Sequence, residues 1–125
     1  MQRPLARGGP LKTVVYAVCA NGTPPGFDFY RDELTDTEKA QMLRLFNRMG
    51  DQGRIANREH FKSIEGTEFF EFKNRQVRMP CYFLPGNLVV ITHGFRKKCD
   101  HIPPTEIDRA RRIKREDMAR FTGGI

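Results

Sequence analysis

The sequence predicts an α+β domain: a mostly antiparallel, twisted sheet of about four strands with two to three helices packed on it. Three observations carry this. Between Glu68 and Phe95 apolar and polar residues alternate with a period of two, as strands require. From Thr35 onward apolar residues recur at helical spacing behind a capping pattern. The 125 residues, 38% hydrophobic and 30% charged, suit one ordinary globular domain, 1–125, rather than a disordered chain.

Residues 1–11 carry cations without an apolar run behind them, so they read as a flexible leader and not as a secretory signal. Lys12–Cys19, KTVVYAVC, is rich in β-branched and aromatic residues and reads as the first strand. Asn21–Glu33 is punctuated by Gly and Pro and reads as a loop. Thr35, with Glu38 three residues on, opens a helix in which Met42, Leu43, Leu45, Phe46 and Met49 recur at helical spacing, with Gly50 as its stop. A short helix is expected at Asn57–Lys62.

The period then switches to two. Phe70 and Phe72 share one face, and Phe69, Glu71, Lys73 and Arg75 share the other. QVRMPCYFL, a Pro85-Gly86-Asn87 turn and LVVITHGF complete a three-strand meander. Pro80 lacks a ladder donor and is expected at an edge or bulge. Past Pro103-Pro104 a helix follows, with Ile107, Ala110, Ile113, Met118 and Phe121 as a thin apolar stripe; 122–125 reads as a frayed tail.

Net charge is +7, and its location is more informative than its size. Lys73, Arg75, Arg78, Arg96, Lys97 and Lys98 occur in one stretch that contains no Asp or Glu. Like charges gathered on neighbouring strands suit a phosphodiester, because Arg grips phosphate oxygens bidentately and Lys is a mobile point charge. RNA carries its own nucleophile, the 2′-hydroxyl. A protein that orients it and stabilises the phosphorane can cleave RNA with no metal and no cofactor, and neither is expected here. A lysine held among cations, or His93, could move a proton. The plain alternative is a solvated basic face and a packed histidine. Cys19, Cys81 and Cys99 are odd in number and match no zinc spacing, which points to a reducing, cytoplasmic compartment. No apolar run is long enough to span a membrane.

The stretch FFEFKNRQVRMPCYFLPGNLVVITHGFRKKCDHIPPTEIDRARR resembles the core of HigB-type toxins in the RelE/ParE superfamily of toxin–antitoxin systems, including phage-derived members. The likeness runs through Glu71, Lys73, Arg78, Tyr82, Gly86, His93, Phe95, Lys97, Lys98, Pro104, Glu106, Ile107, Ala110 and Arg112. It implies a RelE/ParE-like fold and a metal-independent, ribosome-dependent mRNA endonuclease that inhibits translation. It also implies a cognate antitoxin as partner, expected as a small helix-turn-helix protein from the adjacent gene. Carried over by position, Arg78, Lys97 and Lys98 would handle the scissile phosphate, with His93 a further candidate. Lys73, Arg75, Arg96, Arg109 and Arg112 would bind RNA. The competing readings are a non-enzymatic, ParE-like inhibitor of DNA gyrase and a nucleic-acid-binding module without catalysis.

Overall fold

The protein is described here from a computed structural model, which covers residues 2–122. In chain order the elements are β1 (Leu5–Gly8), β2 (Thr13–Tyr16), α1 (Pro25–Glu33), α2 (Asp36–Gln52), β3 (Phe61–Ser63), β4 (Phe70–Asn74), β5 (Val77–Leu84), β6 (Leu88–Ile91), β7 (Phe95–Arg96) and α3 (Pro104–Thr122). The sheet order is β1-β2-β6-β5-β4-β3, with β7 also paired to β5. Neighbours are antiparallel except β2 and β6, which run parallel from Thr13↔Leu88 to Tyr16↔Ile91. The α+β expectation holds, with three helices. The sheet is larger than the four strands expected, because β1, β3 and β7 are short strands recruited by longer neighbours.

The alternation of the strands divides the core in two. Val14, Tyr16, Phe72, Met79, Val89 and Ile91 face α2, where they meet Met42, Leu45, Phe46 and Met49. Val15, Ala17, Phe69, Tyr82 and Val90 face α3 and meet Ala110 and Ile113. Phe46 and Phe72 are fully buried, edge to face at 5.0 Å. Each such burial contributes about 1.5–3 kcal/mol relative to exposure.

Several local expectations are corrected. Leu5–Gly8 lies within the expected leader yet pairs with β2, so this segment is ordered by its neighbour. The expected loop 21–33 contains α1, with Pro25 in its first turn, where a missing N–H costs nothing. Residues 57–62 form a turn and β3 rather than a helix. The Thr35/Glu38 capping box is present, but α2 runs past Gly50 and ends at Gly53, whose φ of 78° suits glycine. Gly50 instead permits close packing: a Cβ on it would stand 2.7 Å from Arg7 Cγ and 3.2 Å from the Lys12 carbonyl oxygen. Of the expected tail 122–125, Thr122 closes α3 and the remainder lies outside the described residues.

Pro80 sits in a central strand, not at an edge or bulge. The expected single strand Leu88–Phe95 is broken at Thr92–Gly94 into β6 and β7. β5 pairs with β7 at Val77 and Arg78 and with β6 from Cys81 onward. Pro80 therefore faces the interruption, and its carbonyl accepts the Thr92 N–H at 2.9 Å. The absent donor falls where no ladder partner is due.

His93 lies in this interruption and is fully buried. Its ring stacks on Phe95 with centroids 5.6 Å apart. Nε2 donates to Glu106 Oε1 at 3.1 Å, which leaves Nδ1 to accept from the Thr92 hydroxyl at 2.9 Å. Burial, then the charges of Arg109 and Arg112, hold its pKa down to about 3.

The C-terminal helix is fastened by one buried carboxylate. Asp117 accepts from Arg3 Nη2 at 2.7 Å and Nε at 3.0 Å, from the Val18 N–H at 2.9 Å and from the Tyr82 hydroxyl at 3.0 Å. Among the described residues no helix is long and apolar enough to cross a membrane.

Two outcomes follow for stability. Asp117→Ala strands four donors from three residues, two of them inside the protein, and should cost about 3–5 kcal/mol; Tyr82→Phe removes one bond and should cost less, about 1.5–3 kcal/mol. Urea unfolding of both variants checks this, and equal losses would deny Asp117 its role as a shared anchor. For His93, the unfolded chain binds a proton near pH 6.5 and the folded protein only near 3. Stability should fall as pH drops below about 6.5, with His93 contributing up to about 1.4 kcal/mol per pH unit. Imidazole nitrogen shifts at pH 5 should still report a neutral ring protonated on Nε2.

Candidate nucleic-acid interface

On the α3 side of the sheet, β4 and β5 place Lys73 opposite Arg78 and Glu71 opposite Pro80. The alternation of β4 sends Glu71 into this face, where only 1% of it is exposed. Arg78 Nε stands 3.1 Å from Glu71 Oε1, with side chains 8% and 2% exposed. That contact is electrostatic without hydrogen-bond alignment, so Oε1 is buried with no donor of its own. Arg78 Nη1 donates to the Val77 carbonyl at 3.0 Å and to the Arg75 carbonyl. Arg75 occupies the turn with a φ of 55°, which a long side chain adopts reluctantly. The guanidinium thus both closes this turn and is fixed by it.

Lys62, from β3, Lys73 and Lys97 complete the group: with Arg78 they are the charges acting on Glu71. Burial raises the Glu71 pKa, and these cations oppose the rise without cancelling it. Burial also lowers the pKa of Lys73, aided by Lys62 and Arg78. Beside them opens a cleft of about 430 Å³, lined among others by Arg58, Lys62, Glu71, Lys97, His101 and Ile107. Its floor is the sheet and one wall is the start of α3. The lining sets Arg58, Lys62 and Lys97 against Glu65, Glu71 and Asp100, and Lys73 and Arg78 add their charge at Glu71 itself, an arrangement that can meet a phosphodiester with a hydroxyl beside it.

The residues singled out from sequence do not all gather here. Arg78, Lys97 and Lys73 stand around Glu71, and of these Lys97 lines the cleft. Lys98 is exposed beyond the cleft lining, and Arg75 is exposed in its turn. Arg96 turns toward α2, bonding Glu38 at 2.7 Å and the Glu33 carbonyl at 3.0 Å, and holds the Glu38 pKa down to about 2. Arg109 and Arg112 line a separate cleft of about 590 Å³ between α1 and α3, where Arg112 pairs with Glu116 at 3.0 Å. His93 remains in the core. Sequence reasoning gave no role to Glu71, Lys62, Arg58 or His101. Glu71 had a signal, an acid alternating into a basic strand face; Lys62 was hidden by the helix expected at 57–62.

The phage-derived Gp49-like protein family (DUF891) matches residues 30–115, which take in α2, β3 to β7 and the first half of α3. No curated protein matches the sequence. The matched region contains every residue of the cationic group around Glu71. The chain belongs to this Gp49-like family, a RelE/HigB-like toxin family of toxin–antitoxin systems, and membership implies a cognate antitoxin.

Proposed function

We propose that the protein is an mRNA endonuclease of the HigB type, acting on ribosome-bound message and restrained by its antitoxin. The observation that carries this reading is the Glu71 carboxylate, which lines the cleft with Arg78, Lys62, Lys73 and Lys97 acting on it. A ribose 2′-hydroxyl entering the cleft is a donor that this carboxylate can accept. Glu71 takes the proton as the 2′-oxygen bonds to phosphorus. The P–O5′ bond then breaks, leaving a 2′,3′-cyclic phosphate and a 5′-hydroxyl.

Lys73, whose proton is made easier to release by burial and neighbouring cations, donates to the departing O5′. Arg78 is a fixed charge beneath the phosphorane; with Nε and Nη1 already engaged, Nη2 is the nitrogen left for a phosphate oxygen. Lys97 and Lys62 hold the flanking phosphate oxygens. The chemistry needs no group beyond these side chains and the substrate's own hydroxyl. Lys98 adds only to the field, and His93 stays outside the reaction.

Single-turnover cleavage of a programmed ribosome tests the assignment. Glu71→Gln should slow cleavage on the order of a hundred- to ten-thousandfold. Lys97→Ala should slow it about a hundred- to a thousandfold, and Lys98→Ala should change it little. Arg78→Lys should also fail, because an ammonium cannot serve Glu71 and two carbonyls together. Equal, small losses in all four would reduce the cleft to a generic basic surface.

The pH profile gives a second measure. The base must be ionised, so the rate should climb as pH rises through the Glu71 pKa, above the ordinary carboxylate range. The acid must be protonated, so it should decline as pH rises through the lowered Lys73 pKa. Glu71→Gln should remove the acidic limb alone. An acidic limb that survives Glu71→Gln and vanishes in His93→Gln would assign the base to the histidine instead.

A further inference from the structure

A second cationic hollow lies on the opposite face of the sheet. It encloses about 260 Å³ between α2 and the start of β3, lined by Gln41, Arg44, Leu45, Arg48, His60 and Asn74. Arg44 and Arg48 stand one helical turn apart, so their guanidinium groups share a face. Both are exposed, and among the described residues neither meets a carboxylate. The nearby acids are committed elsewhere: Glu38 to Arg96 and Asp51 to Arg7.

His60 Nδ1 is buried beside this hollow without a hydrogen-bond partner. Leaving such a group unsatisfied costs about 1–3 kcal/mol, which an incoming oxygen anion would recover. Asn74 donates to Gln41 at 2.5 Å, fixing the amides at the rim.

The position matters as much as the charge. Arg58 and Lys62 line the first cleft while His60, between them in sequence, lines the second. Lys73 and Asn74, adjacent on β4, divide between the two faces in the same way. The clefts therefore stand back to back across the β3 edge of the sheet, separated by a single short strand.

We infer that Arg44, Arg48 and His60 form a second RNA phosphate site, which grips the strand that enters the Glu71 cleft after it crosses the β3 edge. This rests on the endonuclease reading and adds an RNA path to it. The geometry suits a polyanion: two cationic hollows with no acid in the second, joined over an edge too short to block a flexible backbone. The site contributes hold, not chemistry, because it lies on the other side of the sheet from Glu71.

The test compares two non-cleavable, 2′-O-methyl RNA probes: a trinucleotide, which fits only the first cleft, and a single strand of about a dozen nucleotides, which can span both. Arg44→Gln with Arg48→Gln should weaken the long probe about tenfold or more. It should also flatten the slope of log affinity against log salt by about 1.4, two charges' worth for a single strand. Trinucleotide affinity should be unchanged. His60→Gln should weaken the long probe by a smaller factor. Lys97→Ala, by contrast, should weaken both probes.

If the arginine variant binds the long strand like the parent while Lys97→Ala weakens both, the second site is wrong and the first reading stands. If the parent protein binds neither probe, the second site is overturned, and the endonuclease reading is decided separately by cleavage on the programmed ribosome. If charge reversal to Glu at Arg44 and Arg48 spares RNA binding but abolishes neutralisation by the antitoxin, the hollow is a protein interface and the inference is overturned.

Discussion

The geometry of this protein depends on where α3 lies, and α3 is held by the carboxylate of Asp117. The helix is poorly equipped to dock by burial alone. Its fully buried apolar residues are Ala110 and Ile113, and cations occupy much of its surface. Asp117 supplies what that stripe lacks, since it binds the N-terminal segment through Arg3, the end of β2 through Val18 and the central strand through Tyr82. Buried ionic contacts add little net stability once desolvation is counted, but they tolerate few alternative arrangements. Here the arrangement they select carries Ile107 and the chain before it to the wall of the basic cleft.

The cleft shows the opposite use of burial. Around Asp117 every acceptor is saturated, whereas Glu71 keeps one oxygen without a donor. Cations are crowded near it, each raising the cost of holding the next. Stability is given up at this point, and the strain of Arg75 in the adjoining turn belongs to the same local sacrifice. Conventional packing elsewhere offsets the loss: a two-sided core, a capped α2, and Gly94 allowing its segment to press against Phe29. Perturbed groups gathered where apolar packing ends are what a working site requires.

The meander, the capping box and the gathering of Lys73, Arg78 and Lys97 were legible because each follows from local periodicity. β4 to β6 alternate clearly, and a strand fixes which residues share its face. What escaped is set by partners distant in sequence. β1 and β3 have four and three residues, too few to display a period, and become strands because β2 and β4 offer open edges. The Pro-Pro-Gly run before Phe27 resembles a loop until the first Pro-tolerant turn of a helix is considered. Arg96 looked like part of one basic patch, but its pairing with Glu38 is 58 positions away in sequence. His93 in isolation could not be told from a catalyst; only the enclosure formed by Thr92, Phe95 and Glu106 identifies it as packing.

The separations within the Asp117 cluster also bear on the order of assembly. Tyr82 is 35 residues from Asp117, Val18 is 99 and Arg3 is 114. Loop closure grows costlier with length, so the hairpins of β4, β5 and β6 close early and this knot closes late. The early portion already carries Glu71, Lys73 and Arg78, but the wall contributed by α3 is missing from it. A chain caught midway thus holds this charged cluster without the wall that encloses it. Maturation of the cleft is thereby tied to the most non-local event in folding.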